Sequence, residues 1–421
     1  MKKFKFFGMM AIAAMAVSCS SDDVVQQVQE DNAIQFSTYL GNAAQSRGLE
    51  INGGQSIDGV TMGIRTTGWG LLAAYTEADY KVDEGFNWNM NFMWNQKIQY
   101  TENVGWNYSP LKYWPTKEND KISFFAYAPY SENQTDGDYG IKLSNNAVVG
   151  IPTITFTVQD KVEDMVDLVT DVRYNTTHDD AKQANPAGNE VVFNLNHELT
   201  RVTMKAIVDE RATVDASDTR VVITSVKLNE AKSQLYKSAT YTFANINDAD
   251  GSIKRGTWSY AGATKFDADY DLAASLNKTA NNNDLALAFD EGDAVNAAIA
   301  NGIWLNPTAT TATSLFGENQ YLFLIPPAGE GGVAAGEAPT AVIEYYIITK
   351  DEKLAKYYSI TKATKEVSLG GATGAELLKQ GKAYAYTFKI GLDEIKVSAS
   401  VEAWEIGDDV EVKVEYQDTD Y

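Results

Sequence analysis

The sequence predicts an all-β fold built of β-sandwiches, and three observations predict it. The 421 residues include 23 tyrosines and are rich in threonine and valine, residues that suit a pleated, half-buried surface. Apolar and polar residues alternate in many short runs, the period of a strand with one buried face. Glycine- and asparagine-bearing turns separate these runs, as sandwiches require. A hydrophobic content of 44% supplies cores for two ordinary domains.

The chain opens with Lys2, Lys3 and Lys5, an apolar stretch from Phe6 to Val17, and the small residues Ala16, Val17 and Ser18. Residues 1–18 thus read as a lipoprotein signal peptide, too short to span a bilayer, which needs about 20 apolar residues. Cys19, the single cysteine, stands where such a signal places the residue to be acylated, although Ala16 replaces the usual leucine. Ser20, Ser21, Asp22 and Asp23 resemble the acidic tag of Bacteroidetes lipoproteins exported to the outer face of the outer membrane. Residues 19–31 are polar and acidic, an expected flexible tether.

Order is expected from Ala33. Ile34, Phe36, Thr38 and Leu40 alternate with Gln35, Ser37 and Tyr39, which predicts a strand. The following Gly-, Ser- and Asn-rich loop, Gly41 to Gly54, presents Arg47. Short strands are then expected at Thr61 to Ile64, Gly70 to Tyr75, Asn91 to Trp94 and Lys121 to Tyr127. The last of these places Ile122, Phe124, Ala126 and Ala128 on one face and Phe125 and Tyr127 on the other. Ile151 to Val158 and Val191 to Leu195 close an N-terminal sandwich spanning 32–198.

A C-terminal sandwich, 199–421, begins with Thr200 to Val208 and Arg220 to Leu228. Strand character recurs at Ala239 to Phe243, Gln320 to Ile325, Thr340 to Thr349, Tyr357 to Ile360, Tyr384 to Ile390 and Ile395 to Val401. Short helices are expected in loops at Asp293 to Ala300 and Ala375 to Lys379. The final run alternates Val410, Val412, Val414 and Tyr416 with Glu411, Lys413 and Glu415.

Charge and motifs narrow the function. A formal net charge of −22 repels phosphate backbones and excludes nucleic acid as a partner. One cysteine allows no disulfide and no thiolate metal site. The two histidines, His178 and His197, show no paired-ligand spacing; His197 reads as structural at a strand end and His178 as a solvated loop residue. Nucleophile elbows, P-loops and dinucleotide fingerprints are missing from the sequence. Asp267, Asp269 and Asp271 alternate as in a calcium loop, but the sixth and twelfth positions hold Leu272 and Lys278 instead of Gly and Glu. No enzymatic activity, metal site or cofactor is therefore expected. Trp69, Trp88, Trp94, Trp106 and Trp114 crowd the first third, either as core or as a stacking platform for sugars with Trp88 and Trp106 as candidate contacts.

Several segments resemble the fimbrillin family of Bacteroidales. They are the lipobox and tether, Ile34 to Tyr39 with Arg47, Phe92 to Gln96, the run Trp106-Asn107-Tyr108-Ser109-Pro110-Leu111-Lys112-Tyr113-Trp114-Pro115, and Lys121 to Pro129. Val166-Asp167-Leu168, Phe193 to Val202, Gly381 to Tyr384, and Ile395 to Val401 with Trp404 follow the same pattern. The resemblance implies two tandem transthyretin-like β-sandwich domains and a structural role in type V pili, as stalk, anchor or tip. For a stalk subunit it implies lipoprotein export, removal of the first strand by an arginine-specific protease, and filling of the bared groove by a neighbour's terminal strand. On that basis Arg47 is the candidate cleavage site. Ile34, Phe36, Thr38 and Leu40 mark the removable strand, and Val410, Val412, Val414 and Tyr416 the donor. The implied partners are other pilus subunits, the outer membrane through the lipid anchor, and host or bacterial surface ligands. The implied location is the cell surface, as outer-membrane lipoprotein or within the fimbrium. The alternative reading is a surface glycan-binding lipoprotein that uses the Trp69–Trp114 aromatics.

Overall fold

The computed structural model describes residues 32–40, 64–117, 119–184, 190–209, 215–229, 235–246, 252–266, 269–278, 283–289, 293–332, 338–370, 378–391, 395–402 and 412–414. Strands dominate. The N-terminal part contributes β1 (Gln35–Leu40), β2 (Trp69–Thr76), β3 (Met93–Thr101), β4 (Gly105–Asn107), β5 (Lys121–Ala128), β6 (Ile141–Leu143), β7 (Thr153–Thr157), β8 (Val169–Thr176) and β9 (Glu190–His197). Seven of them form one sheet in the order β1-β9-β8-β5-β2-β3-β4. Its ladders are antiparallel except for the edge pair β1–β9, which is parallel.

The sheet rolls until its two edges meet. Ala33 bridges Tyr113, the Ile34 N–H donates to the Lys112 carbonyl at 2.9 Å, and the Trp114 N–H donates to the Asn32 carbonyl at 3.0 Å. The segment that leads into β1 is therefore tied to the opposite side of the roll, while β1 itself pairs with β9. A continuous apolar run such as Ile-Ser-Phe-Phe-Ala-Tyr-Ala in β5 suits a strand buried on both faces. Ile122, Phe124, Ala126 and Ala128 face the interior of the roll with Phe36, Trp69, Leu71 and Phe193. Phe125 and Tyr127 face a second core with Leu72, Ala74 and Val172. Gly70 permits this packing, because a Cβ there would lie 2.0 Å from the Tyr127 ring.

The second face is covered by a four-stranded sheet ordered Thr257–Lys265, β12 (Tyr236–Thr242), β7, β6. Phe125 meets Phe243 edge-on at 5.7 Å across this contact. The β7–β12 ladder, with Ile154 opposite Tyr241, joins strands from either side of residue 198. Farther along, β10 (Thr200–Val208) pairs in parallel with Ala383–Ile390, followed by Ile395–Glu402 and Val412–Val414. β11 (Thr219–Asn229) pairs with Thr340–Lys350, which pairs with the edge strand Tyr358–Ser368. Val202, Met204, Tyr384 and Tyr386 from the first of these sheets share one core with Val221, Ile223, Ile343 and Tyr345 from the second.

Some elements depart from expectation. Ile64 opens a helical turn, Ile64–Thr67, instead of ending a strand. His178 is not a solvated loop residue: it begins the helix His178–Ala184 and its ring stacks on Trp114 at 5.8 Å. Thr177 and Asp180 cap that helix reciprocally: the Thr177 N–H donates to the Asp180 carboxylate, and the Asp180 N–H to the Thr177 hydroxyl. The helix Ala294–Ala300 forms where expected, with Asp293 accepting the Val295 N–H. The helix expected at Ala375 to Lys379 lies largely outside the described residues.

Candidate functional site

The best-defined candidate site is the slot that β1 occupies. Phe36 is buried in a nest of four rings: Tyr108 at 5.3 Å, Phe124 at 5.5 Å, Trp69 at 6.1 Å and Phe193 at 6.3 Å. Ile34 is fully buried beside it. Burying two such side chains is worth about 1.5–3 kcal/mol each, and each aromatic pair adds about 0.5–1.5 kcal/mol. Along its backbone β1 runs from Gln35 opposite Glu190 to Leu40 opposite Leu195. On the other side the Tyr108 hydroxyl donates to the Ile34 carbonyl at 2.8 Å while accepting the Lys112 N–H at 3.2 Å. Burial pushes the Tyr108 phenol up to about 12, so it stays a donor at any physiological pH. Two β1 hydroxyls, Ser37 Oγ and Thr38 Oγ1, are buried and find no hydrogen-bond partner among the described residues.

β1 and β9 are joined to the rest of the sheet in an unusual way. β8 and β9 pair only at Val169–His197 and Thr170–Asn196. Beyond that point side chains replace the ladder: Asp171 Oδ2 accepts the Asn194 N–H at 2.7 Å, and Arg173 Nε donates to the Val192 carbonyl at 2.8 Å. Arg173 Nη1 lies 2.7 Å from Asp171 Oδ2. Burial raises the Asp171 carboxyl, and the Arg173 charge opposes that rise. The seam opens onto a cleft of about 330 Å³ lined by Asp171, Arg173, Asn194, Glu198, Lys254 and Arg255.

At the base of the seam is a buried polar junction. His197 Nδ1 pairs with Asp167, whose carboxyl burial pushes well above the usual range. Glu198 accepts from the Thr170 hydroxyl at 2.8 Å and from Gln380 Nε2 at 2.5 Å, and its backbone carbonyl accepts from Trp258 Nε1 at 2.8 Å. Burial pushes the Glu198 carboxyl up to about 7, against the pull of Arg255. The junction fastens the β9–β10 link to three neighbouring segments.

A fimbrillin-like family model matches residues 72–404 of the chain. The chain belongs to the fimbrillin-like family. Fimbrium subunit Fim1C of Phocaeicola vulgatus is 28% identical over 97% of this chain and 98% of that protein. The crystal structure of a fimbrial protein from Bacteroides vulgatus superposes with a TM-score of 0.63 and 26% identity, covering 89% of this chain and 99% of that one.

Within this fimbrillin-like chain the predicted site residues fall in different places. Ile34, Phe36 and Thr38 share the β1 slot. Leu40 ends β1, but its side chain lies outside the described residues, as do Cys19, Arg47, Val410 and Tyr416. Val412–Val414 forms a strand antiparallel to Ile395–Glu402, with Val414 opposite Ala399 and Val412 opposite Val401. Trp69 and Trp114 are buried. Trp88 and Trp106 are not brought together: Trp88 packs on Phe86 and Tyr80 against one core, Trp106 on Trp69 and Tyr100 against the other. Tyr108, Asp171 and Arg173 were not singled out from sequence, although Tyr108 sits inside the tryptophan-rich run that carries the family resemblance.

Proposed function

We propose that this fimbrillin-like chain is a structural subunit of a cell-surface fimbrium that supports adhesion and assembles with other subunits by exchange of β1. The observation that carries the reading is β1 itself, an edge strand inserted in a ring-lined slot and joined onward through residues 41–63. Withdrawing it would bare the apolar nest of Phe36 and the unpaired edge of β9, a template for another strand. Its likeness to a fimbrium subunit along almost the whole chain supports the same role. Export as a lipoprotein acylated at Cys19 would hold the precursor at the outer membrane until β1 is released.

Two arginines lie between β1 and β2, Arg47 and Arg65. Arg65 is in the helical turn Ile64–Thr67 with its guanidinium 3.8 Å from the centre of the Tyr100 ring. Arg47 is therefore the proposed point of cleavage, and Val410 to Tyr416 the proposed donor strand. The test is limited digestion of the chain lacking residues 1–18 with an arginine-specific protease, followed by N-terminal sequencing and an unboiled denaturing gel. A new N-terminus at Gly48 with a ladder of resistant oligomers is expected. A chain that resists cutting there, or a cut product that stays monomeric, would remove the exchange mechanism.

A further inference from the structure

We infer that the cleft at the β8–β9 seam is a binding site for a sugar that carries one carboxylate, a uronate. Arg173, Lys254 and Arg255 hold the carboxylate, and Asn194 and Asn196 take the hydroxyls. No β1 residue lines the cleft, so the site does not depend on strand exchange. It adds a ligand class to the adhesive role proposed above.

The charge pattern singles out this cleft. The chain as a whole carries −22, yet a cleft of about 330 Å³ gathers Arg173, Lys254 and Arg255 against two carboxylates, Asp171 and Glu198. Three cations against two acids leave an excess of one positive charge. Burial raises both carboxyls, so protonation of either only adds to that excess. A cleft lined by one sign of excess charge concentrates ions of the other sign. An excess of one suits a carboxylate better than a phosphate dianion.

The cations are held in place and still have donors to spare. Arg173 donates from Nε to the Val192 carbonyl and from Nη1 to the Val172 carbonyl, which leaves Nη2 without a hydrogen bond among the described residues. Arg255 donates from Nε to Glu198 Oε2 and from Nη2 to the His197 carbonyl, which leaves Nη1 in the same condition. Both side chains remain partly exposed, at 30% and 28%. A guanidinium clamped at two atoms loses little rotamer freedom on taking up a ligand, and its bonds to carboxylates are among the stronger ones. Lys254 is exposed and pairs with no carboxylate among the described residues.

The remaining walls suit a polyol. Asn196 spends Nδ2 on the Asn194 carbonyl at 3.0 Å, so its side-chain oxygen can accept a hydroxyl. The side-chain amide of Asn194 makes no hydrogen bond among the described residues and can both donate and accept. Ala244 and Ile253 supply an apolar wall for the C–H face of a ring. The volume lies at the small end of the range of about 300–1,000 Å³ found for ligand sites, room for a single sugar unit. No described tryptophan lines the cleft, so it is not the stacking platform expected at Trp88 and Trp106.

The test is titration calorimetry on the chain lacking residues 1–18, with glucuronate, glucose, acetate and inorganic phosphate as probes. Glucuronate is expected to bind with a Kd of about 1 mM that rises with salt, and glucose and acetate at least about tenfold more weakly. The Lys254 side chain carries no hydrogen bond or ion pair among the described residues, so its variants should keep the melting temperature. Lys254→Glu is expected to weaken glucuronate about tenfold, and Lys254→Arg to retain it. Glucose binding as tightly as glucuronate would overturn the carboxylate, and phosphate binding more tightly would overturn the single charge. Undiminished binding by Lys254→Glu would overturn the location. No binding of glucuronate up to about 20 mM would overturn the site itself.

Discussion

The Tyr108 hydroxyl donates to the Ile34 carbonyl at 2.8 Å, joining residues 74 positions apart and closing the rolled sheet over β1. The same oxygen accepts the Lys112 N–H, so one phenol serves both lips of the closure. Tyr108→Phe keeps the ring against Phe36 and removes the clasp. It should cost about 1 kcal/mol and speed hydrogen exchange in residues 32–40, read by mass spectrometry. Exchange at the unmodified rate would show that the rings alone hold the strand.

The side-chain rungs between β8 and β9 make a second prediction. Asp171→Ala leaves the Asn194 N–H unpaired and Arg173 without its counter-charge. Urea unfolding should show a loss of about 2–4 kcal/mol, with Arg173→Ala costing less because its guanidinium is partly solvated. If the two changes together cost the sum of each alone, the rungs act independently; we expect less than the sum, because they share one bond.

Stability should fall as pH rises through the Glu198 transition. Burial lifts this carboxyl from 4.5 to about 7 in the folded state, so the folded chain binds the proton more tightly than the unfolded one. The contribution is fully present below about 4.5 and lost as pH rises through 7, on the order of 3 kcal/mol in all. Asp167, also raised by burial, acts with the same sign. Denaturant midpoints measured across this range should fall with pH, and Glu198→Gln should flatten the slope. An unchanged slope in the variant would place the pH dependence elsewhere.

Protease selectivity gives a fourth prediction. Arg65 is shielded by its packing on Tyr100, which in turn packs on Trp106 at 5.5 Å. Arg47→Lys should abolish cutting by an arginine-specific protease in the linker between β1 and β2. Tyr100→Ala should create a new cut after Arg65, seen as an N-terminus at Thr66. Cutting at Arg65 in the unaltered chain would contradict the shielding.

Much of the strand content was legible because burial and sequence period coincide. The two-faced alternation of β5 is the clearest case: Phe124 and Phe125 enter different cores, as their spacing requires. β8 was not legible, because Asp171 and Arg173 interrupt the apolar pattern of the run Val169–Thr176. They serve instead as rungs to β9, a use that only the three-dimensional pairing reveals. The helix at His178 carried a readable signal in the capping pair Thr177 and Asp180, which its short length and polar surroundings obscured. The parallel docking of β1 on β9 joins residues some 155 positions apart, and periodicity says nothing about such partners.

The most direct test of the central claim is the fate of the N-terminal fragment after cutting. Polymer and monomer from the digest would be separated and their intact masses determined under denaturing conditions. The account predicts that monomer still carries the fragment ending at Arg47, held in its slot, while polymer has lost it one for one as another strand took its place. Polymer that retains the fragment in full would contradict strand exchange and place the subunit contact on another surface.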